Sequence, residues 1–317
     1  MSTYYSTGEY ERAVECYQQS LKTMMETGNR DGGANSLIGL GNAYSQIGEY
    51  EQAIECYQQS LELMIETGNR NGEATSLNNL SNAYSELGEY KRAIEFYQQS
   101  LDIKREIGDR NGEATSLENL GVAYRLTGDY KRAIELYRQS LEISREIGNR
   151  NGEASSLMNL GNTYSSLGKY ERAIELYQQS LEIFQEIGDR NGEAASLFNR
   201  SFALARTDRK WEAQQSFIEA RALFETLGLS HRVEQCNEAI QELGKQIVVQ
   251  PKKAPTIGPV KPATPDWLAK SMPMTEQDKQ PQPKQANSRR RSSRWLIWCL
   301  VGFGIALLIW WLLHAVS

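Results

Sequence analysis

Proline is missing from the first 250 residues of this 317-residue chain, and all eight prolines lie between positions 251 and 283. Because a proline costs roughly 3 kcal/mol inside a helix and is common in loops, a long stretch without it favours nearly continuous helix. The same absence argues against a loop-rich β fold. The chain therefore divides into a helical body, a proline-rich segment and whatever follows that segment.

Charged side chains are missing from residues 295–317, whereas residues 251–294 hold ten basic and three acidic side chains, a net +7. Since the whole chain carries −5, the body before residue 251 carries −12. An acidic body lacks the clustered Lys and Arg that contact phosphates. We therefore expect no nucleic-acid partner.

The residues that usually build metal and catalytic sites are also scarce. The two histidines, His231 and His314, have no Cys or Asp at triad or metal-binding spacing, and the four cysteines show no C-x-x-C pattern. No glycine-rich phosphate loop with Lys and Ser or Thr occurs. We expect no enzyme activity, no cofactor and no metal site.

A 40-residue repeat is the dominant feature of the body. Fifteen of the sixteen tyrosines occupy three repeat positions, and a glycine, an alanine and a leucine recur in the same register. Self-similarity at this period indicates one structural unit stacked on copies of itself. The series are Gly8, Gly48, Gly88, Gly128 and Gly168; Tyr17, Tyr57, Tyr97, Tyr137 and Tyr177; Ala13, Ala53, Ala93, Ala133, Ala173 and Ala213; and Leu37, Leu77, Leu117, Leu157 and Leu197.

Each unit is predicted to contain two helices. In residues 73–107, apolar side chains at i, i+3 and i+7 mark one helix face, Gly88 interrupts it, and a second apolar face follows. Gly108 stands where a left-handed residue would end the second helix, Asn111 is predicted to N-cap the next helix, and Glu113 to lie in its first turn. The two faces comprise Leu77, Leu80 and Tyr84, and then Tyr90, Ala93, Ile94, Tyr97 and Leu101.

This pattern resembles the tetratricopeptide repeat (TPR). The resemblance covers residues 2–227 and is most similar to a 40-residue subclass of polarity adaptors that bind G-protein regulators, and to bacterial arrays. It implies an all-α superhelical solenoid of antiparallel helix pairs that binds a protein or an extended peptide. The Trp and the final Pro typical of the family are absent from the matching positions. The family's residue order matches Leu77, Leu80, Ser81, Tyr84, Gly88, Tyr90, Ala93, Tyr97, Ser100 and Leu101.

The repeat register predicts the domain boundaries. Residues 1–229 form the repeat array, Ser230 N-caps a capping helix over 230–248, and a disordered linker rich in Pro and Lys follows over 249–294. Because the first unit lacks its leading helix and exposes apolar surface, we expect either a truncated product or an end covered by another chain. The array comprises a half repeat over 1–28 and repeats near 33–68, 73–108, 113–148, 153–188 and 193–228.

Residues 295–316 form an uncharged apolar run long enough to cross a bilayer. Tryptophans lie towards both ends of the run, and four arginines precede it. We predict a tail-anchored, single-pass transmembrane helix with the repeats on the cytoplasmic side. Self-association is predicted either through the half repeat or through the transmembrane helix, where Gly302 and Ala306 have the spacing of a helix-pairing motif.

The resemblance implies a concave groove lined by the first helix of each pair. Asparagine recurs along it, and an amide offers both a donor and an acceptor to the backbone of an extended peptide. Arginines there would pair with a carboxylate, whereas the alternative is that the asparagines serve helix packing or face water. The lysines of the chaperone carboxylate clamp are missing. The predicted groove residues are Asn42, Asn79, Asn82, Asn119, Arg125, Asn159, Asn162, Asn199, Phe202 and Arg206.

The sequence thus predicts a membrane-anchored adaptor or scaffold that binds its partner in the groove without catalysis. Apolar side chains at Met158, Phe198 and Phe202 predict a partner with hydrophobic anchors near the C-terminal half of the groove. The alternative function is a structural subunit of a membrane-associated multiprotein assembly.

Overall fold

The computed structural model describes the backbone of residues 2–248 and the side chains of residues 9–246. Twelve helices follow one another in this part of the chain. The helices are α1 (Ser2–Glu26), α2 (Arg30–Ile47), α3 (Tyr50–Thr67), α4 (Arg70–Glu86), α5 (Tyr90–Glu106), α6 (Arg110–Leu126), α7 (Tyr130–Glu146), α8 (Arg150–Ser166), α9 (Tyr170–Ile187), α10 (Arg190–Arg206), α11 (Lys210–Thr226) and α12 (Ser230–Val248).

The helices stack as a solenoid of pairs. Each helix packs against its neighbours along the chain, and the even-numbered helices from α2 to α10 are the first helices of the pairs. First helices of successive repeats also contact each other, as α2 does with α4, α6 with α8, and α8 with α10. Because these helices approach across the repeats, they form the inner layer of the solenoid. The predicted all-α repeat solenoid is confirmed.

The apolar faces predicted from the repeat are buried, except that Tyr90 and Ile94 are partly exposed. Leu77 and Leu80 on α4 and Tyr97 and Leu101 on α5 are all less than 5 % exposed. Ala93 on α5 has no exposed surface. Burial of such side chains contributes about 25 cal/mol for each Å² of apolar surface removed from water, so the stacked faces supply the main stabilisation of the array.

Buried serines join neighbouring pairs. The hydroxyls of Ser60 on α3 and Ser76 on α4 are 3.0 Å apart, and Ser60 also donates to the carbonyl of Ala34. The same hydroxyl pair recurs 120 residues later between Ser180 and Ser196. These bonds satisfy polar groups that the stack takes out of water.

The turns differ from the sequence expectation in their capping residues. The N-cap of α6 is Asp109, whose side chain accepts from the backbone N–H of Gly112, so Asn111 lies in the first turn and the prediction for it was wrong. Gly108, with φ of 71°, forms the turn after α5, and α6 begins two residues later at Arg110. The N-cap is therefore Asp109, the residue directly after the glycine, rather than Asn111. Glu113 lies in the first turn of α6, as predicted.

The capping helix α12 has the predicted bounds. Its Cys236 and Leu243 are buried against α11 and the last repeat. Ser230 is its first helical residue rather than its N-cap, since Leu229 occupies the preceding position and accepts the first helical hydrogen bond, from Val233.

The N-terminal half repeat has an unexpected local structure. The repeat register places a turn at Gly8, yet α1 runs through this glycine without a break. Tyr17 is 40 % exposed, whereas its equivalents Tyr57 and Tyr177 are 3 % and 2 % exposed. The Tyr17 ring lies instead over Gly39 of α2, where a Cβ would come within 2.3 Å of the ring.

Several predictions from the sequence fall on residues outside the described part of the chain. These are the linker at 249–294 and the transmembrane helix at 295–316. Within the described residues, no helix has both the length and the apolar character that crossing a membrane requires. The same residues contain no group of three His, Cys, Asp or Glu side chains placed to hold a metal ion.

One turn supports a test of the repeat register. Asp208 occupies the position of Gly168 and has the same left-handed backbone, with φ of 61° against 72°. A side chain costs about 1 kcal/mol in this conformation. We expect Asp208→Gly to raise the free energy of unfolding by about 0.5–1 kcal/mol and Gly168→Asp to lower it by a similar amount, measured by urea unfolding. Shifts of the same sign in both variants would contradict the equivalence of the two turns.

Candidate functional site: the groove of the first helices

The structure places all ten predicted groove residues on the first helices, α2, α4, α6, α8 and α10. Asn42, Asn82, Phe202 and Arg206 are exposed. The remaining six are partly buried: Asn79, Asn119, Arg125, Asn159, Asn162 and Asn199. The residues therefore share one layer of the solenoid, although their side chains differ in how much surface they offer a ligand.

One series of asparagines is engaged within its own repeat. The hydroxyl of Tyr57 donates to Oδ1 of Asn42 at 2.7 Å, and that of Tyr177 donates to Oδ1 of Asn162 at 2.8 Å. Tyr97 donates to Asn82 in the same way. Burial raises the pKa of Tyr57 to about 12, so this hydroxyl keeps its proton as a donor. These asparagines therefore fix the second helix against the first, which the packing alternative anticipated, and keep their Nδ2 donors.

The tyrosine–asparagine pair changes in two repeats. In the repeat of α6 and α7 the asparagine is replaced by Val122, so the buried hydroxyl of Tyr137 lacks that acceptor and lies beside the guanidinium of Arg125 instead. In the repeat of α10 and α11 both members change, and the rings of Phe202 and Phe217 meet edge to face at 4.9 Å. The matched change from a hydrogen bond to an apolar contact supports a packing role for this position.

A second series of asparagines links successive repeats. Nδ2 of Asn119 donates to Asn78 at 2.9 Å, and Nδ2 of Asn199 donates to Asn162 at 3.2 Å. By contrast, Asn79 and Asn159 make no side-chain hydrogen bond within the described part of the chain. Their amides are therefore free to bind the backbone of a ligand.

The repeat of α6 carries two charged groove residues. Glu118, which the groove prediction omitted, hydrogen-bonds the hydroxyl of Ser156 on α8, and burial raises the pKa of its carboxyl. Arg125 lies two turns further along the same helix, and its Nε is buried without a hydrogen-bond partner among residues 9–246. The position of Glu118 holds Ile, Asn, Met or Phe in other repeats, so its departure from the pattern was the available signal.

The C-terminal end of the groove is aromatic. Phe202 is 47 % exposed and packs edge to face on Phe198 with ring centroids 4.9 Å apart. The guanidinium of Arg232 from α12 lies over the Phe198 ring at 5.2 Å. Arg206 is exposed one turn beyond Phe202. This cluster presents an apolar surface beside a cation, and a partner with hydrophobic anchors stays a prediction.

A family model described as "Tetratricopeptide repeat" matches residues 2–66, 48–106, 72–146 and 147–226. The chain belongs to the tetratricopeptide-repeat family. The matches extend from α1 into the last helix pair, so every unit of this TPR array, including the half repeat, falls within them. None of the curated proteins compared with the chain matches it.

Solved structures share the TPR fold at low identity. BtubC from P. vanneervenii is 19 % identical over 80 % of this chain and 99 % of its own, with a TM-score of 0.53. A putative kinesin light chain from Podosopora anserina is 23 % identical over 61 % and 95 %, with a TM-score of 0.51. A Rap protein complexed with competence and sporulation factor is 14 % identical over 77 % and 72 %, with a TM-score of 0.55.

A double-mutant cycle tests the packing role of the tyrosine–asparagine pair. Asn82→Val leaves the Tyr97 hydroxyl without its acceptor, and we expect a loss of about 1–3 kcal/mol in the free energy of unfolding. Asn82→Val/Tyr97→Phe should recover most of this loss, because the buried donor is gone. Asn79→Ala, which removes an unbonded amide from the same helix, should cost less than about 0.5 kcal/mol. A double variant no more stable than Asn82→Val would reject the pairing.

Proposed function

We propose that this protein is a membrane-anchored adaptor that binds an extended peptide segment of a partner protein in the groove of its first helices. TPR arrays are protein-binding modules, so membership of the family supports a protein-binding function. The observation that carries the proposal of a peptide site is the pair of free amides at Asn79 and Asn159. Both lie on the inner layer, two repeats apart, and neither side chain makes a hydrogen bond within the described residues.

The aromatic end of the groove supports the same function. A ligand whose backbone is held by amides still needs apolar contacts for affinity, because hydrogen bonds exchanged with water contribute little net energy. Phe202 and its neighbours supply that surface. A related fold has been solved with a bound factor, the Rap protein with competence and sporulation factor.

The test uses the full-length chain in detergent and a phage-displayed library of random dodecapeptides. We expect Asn79→Ala/Asn159→Ala to weaken binding of a selected peptide by about tenfold or more, since each amide contributes about 1 kcal/mol, with an unchanged melting temperature. The matched control is Gln99→Ala/Gln179→Ala, which removes two exposed amides from the second helices of the same repeats. Equal weakening by both variants, or none by either, would reject the groove.

The membrane anchor is a separate part of the proposal. It rests on the uncharged run at 295–316 and the preceding arginines, which favour a cytoplasmic position for the repeats. We expect the full chain to stay in the membrane pellet after a carbonate wash, and a chain ending at residue 294 to be released. Release of the full chain in that wash would overturn the anchor and leave the groove proposal intact.

A structural subunit of a membrane-associated assembly is the second candidate function. Tyr17 and Cys16 on the exposed face of α1 favour it, because their equivalents Tyr57 and Cys56 in the next repeat are buried. Self-association through α1 or through the membrane segment belongs to this candidate. Capture of partners distinguishes the two functions. Partners of a structural subunit would remain bound to the Asn79→Ala/Asn159→Ala variant, whereas partners held in the groove would be lost.

A further inference from the structure

Two residues of the last repeat depart together from the pattern of the other repeats. Leucine stands at the position of Arg200 in the four preceding repeats, and tyrosine stands at the position of Leu204. Those leucines are at most 6 % exposed, so Arg200 stands where the fold buries an apolar side chain. The equivalent residues are Leu40, Leu80, Leu120 and Leu160, and Tyr44, Tyr84, Tyr124 and Tyr164.

The tyrosine of the preceding repeat shows what this place holds when the pattern is kept. The hydroxyl of Tyr164 accepts from Arg138 on α7 at 3.1 Å, and the ammonium of Lys169, at the start of α9, lies 5.8 Å from the ring centroid. The equivalents of these two neighbours in the last repeat are Gln178 and Arg209. A leucine between them is shorter than a tyrosine and leaves space.

A cavity of about 310 Å³ lies at this place, between α9 and α11. Its volume is at the lower end of the range for small-molecule sites. Because Arg200 and Leu204 are one helical turn apart, they share a face of α10, whereas the groove residues Asn199 and Phe202 lie on another face. The cavity is therefore separate from the groove. Its lining includes Ile174 and Gln178 of α9, Arg200 and Leu204 of α10, and Arg209 and Glu212 of α11.

The two carboxylates beside the cavity are already paired. Glu212 accepts from Nε of Arg209 at 2.8 Å, and Glu175, which also lines the cavity, accepts from Arg172 at 2.6 Å. Each carboxylate thus pairs with the arginine three residues before it in the chain. Neither is a counter-ion of Arg200.

Arg200 makes hydrogen bonds to uncharged groups. Nη1 donates to the amide oxygen of Gln178, and Nη2 donates to the hydroxyl of Ser216 at 3.3 Å. Each of these nitrogens carries a second N–H, so the buried Nε is not needed to hold a ligand. Burial lowers the pKa of Arg200, as expected for a cation removed from water, yet an arginine keeps its charge in a protein. The cavity therefore contains a positive charge that no carboxylate of residues 9–246 pairs with.

We propose that this cavity binds a small carboxylic acid, whose apolar body takes the place of the tyrosine ring and whose carboxylate pairs with Arg200. A carboxylate matches the parallel N–H groups of a guanidinium, and such a bond is stronger where water is partly excluded. The side chains of Ile174 and Leu204 offer an apolar wall to the body of the ligand. The inference does not depend on the peptide groove, because none of the lining residues is a groove residue.

Benzoate is the probe for this site, and benzamide is its uncharged control of nearly the same shape. Binding to the full-length chain in detergent is followed by ligand-observed NMR titration. We expect benzoate to bind about tenfold more tightly than benzamide, because only benzoate carries the charge that pairs with Arg200. Arg200→Leu introduces the residue of four other repeats, so it is expected to fold, and it should bring the two affinities within about twofold of each other.

Leu204→Tyr tests the cavity while Arg200 stays in place. The ring restores the residue of the other repeats and should weaken the binding of benzoate and benzamide alike, by about tenfold. Arg138→Gln, which removes an exposed cation from the equivalent place on α7, should leave the preference for benzoate unchanged. The site would be overturned by equal affinities in the wild type, by a preference that persists in Arg200→Leu, or by benzoate affinity that Leu204→Tyr does not change.

Discussion

The contact between a tyrosine of the second helices α3, α5, α7 and α9 and the first helix of the same repeat constrains most of this structure. A Cβ at Gly161 would come within 2.7 Å of the Tyr177 ring, so the facing residue must be small. The tyrosine hydroxyl, taken out of water, then requires an acceptor on the next residue, which Asn162 provides. One packing contact thereby fixes two consecutive residues of the inner helix, and the second of them faces the groove.

This constraint explains which features of the structure the sequence predicts and which it does not. Helix pairs, left-handed glycines and buried faces follow from local periodicity, and Gly108 and Leu77 behave as their spacing predicts. The hydrogen-bond partners of the asparagines cannot be predicted from local periodicity. A bond such as the one from Asn119 to Asn78 depends on how two separate helices pack against each other. The cap at Asp109 was missed for a related reason, because the glycine turn sets where the next helix begins.

The two ends of the described array cover the apolar surface of their last helices in different ways. At the C-terminal end, α12 covers the last pair and buries Cys236 completely. At the other end, Tyr17 turns onto α2 above Gly39, the one place in its series where asparagine gives way to glycine. The Tyr17 ring occupies the space that an asparagine side chain would fill at position 39. The groove therefore has one amide fewer at the end where the half repeat packs onto α2.

The consequence of a departure from the repeat depends on whether one or both members of a tyrosine–asparagine pair change. Where both members of a pair change together, as with Phe202 and Phe217, the fold is preserved and the surface becomes apolar. Where one member changes alone, as with Val122 opposite Tyr137, a donor is left inside the protein at a cost to stability.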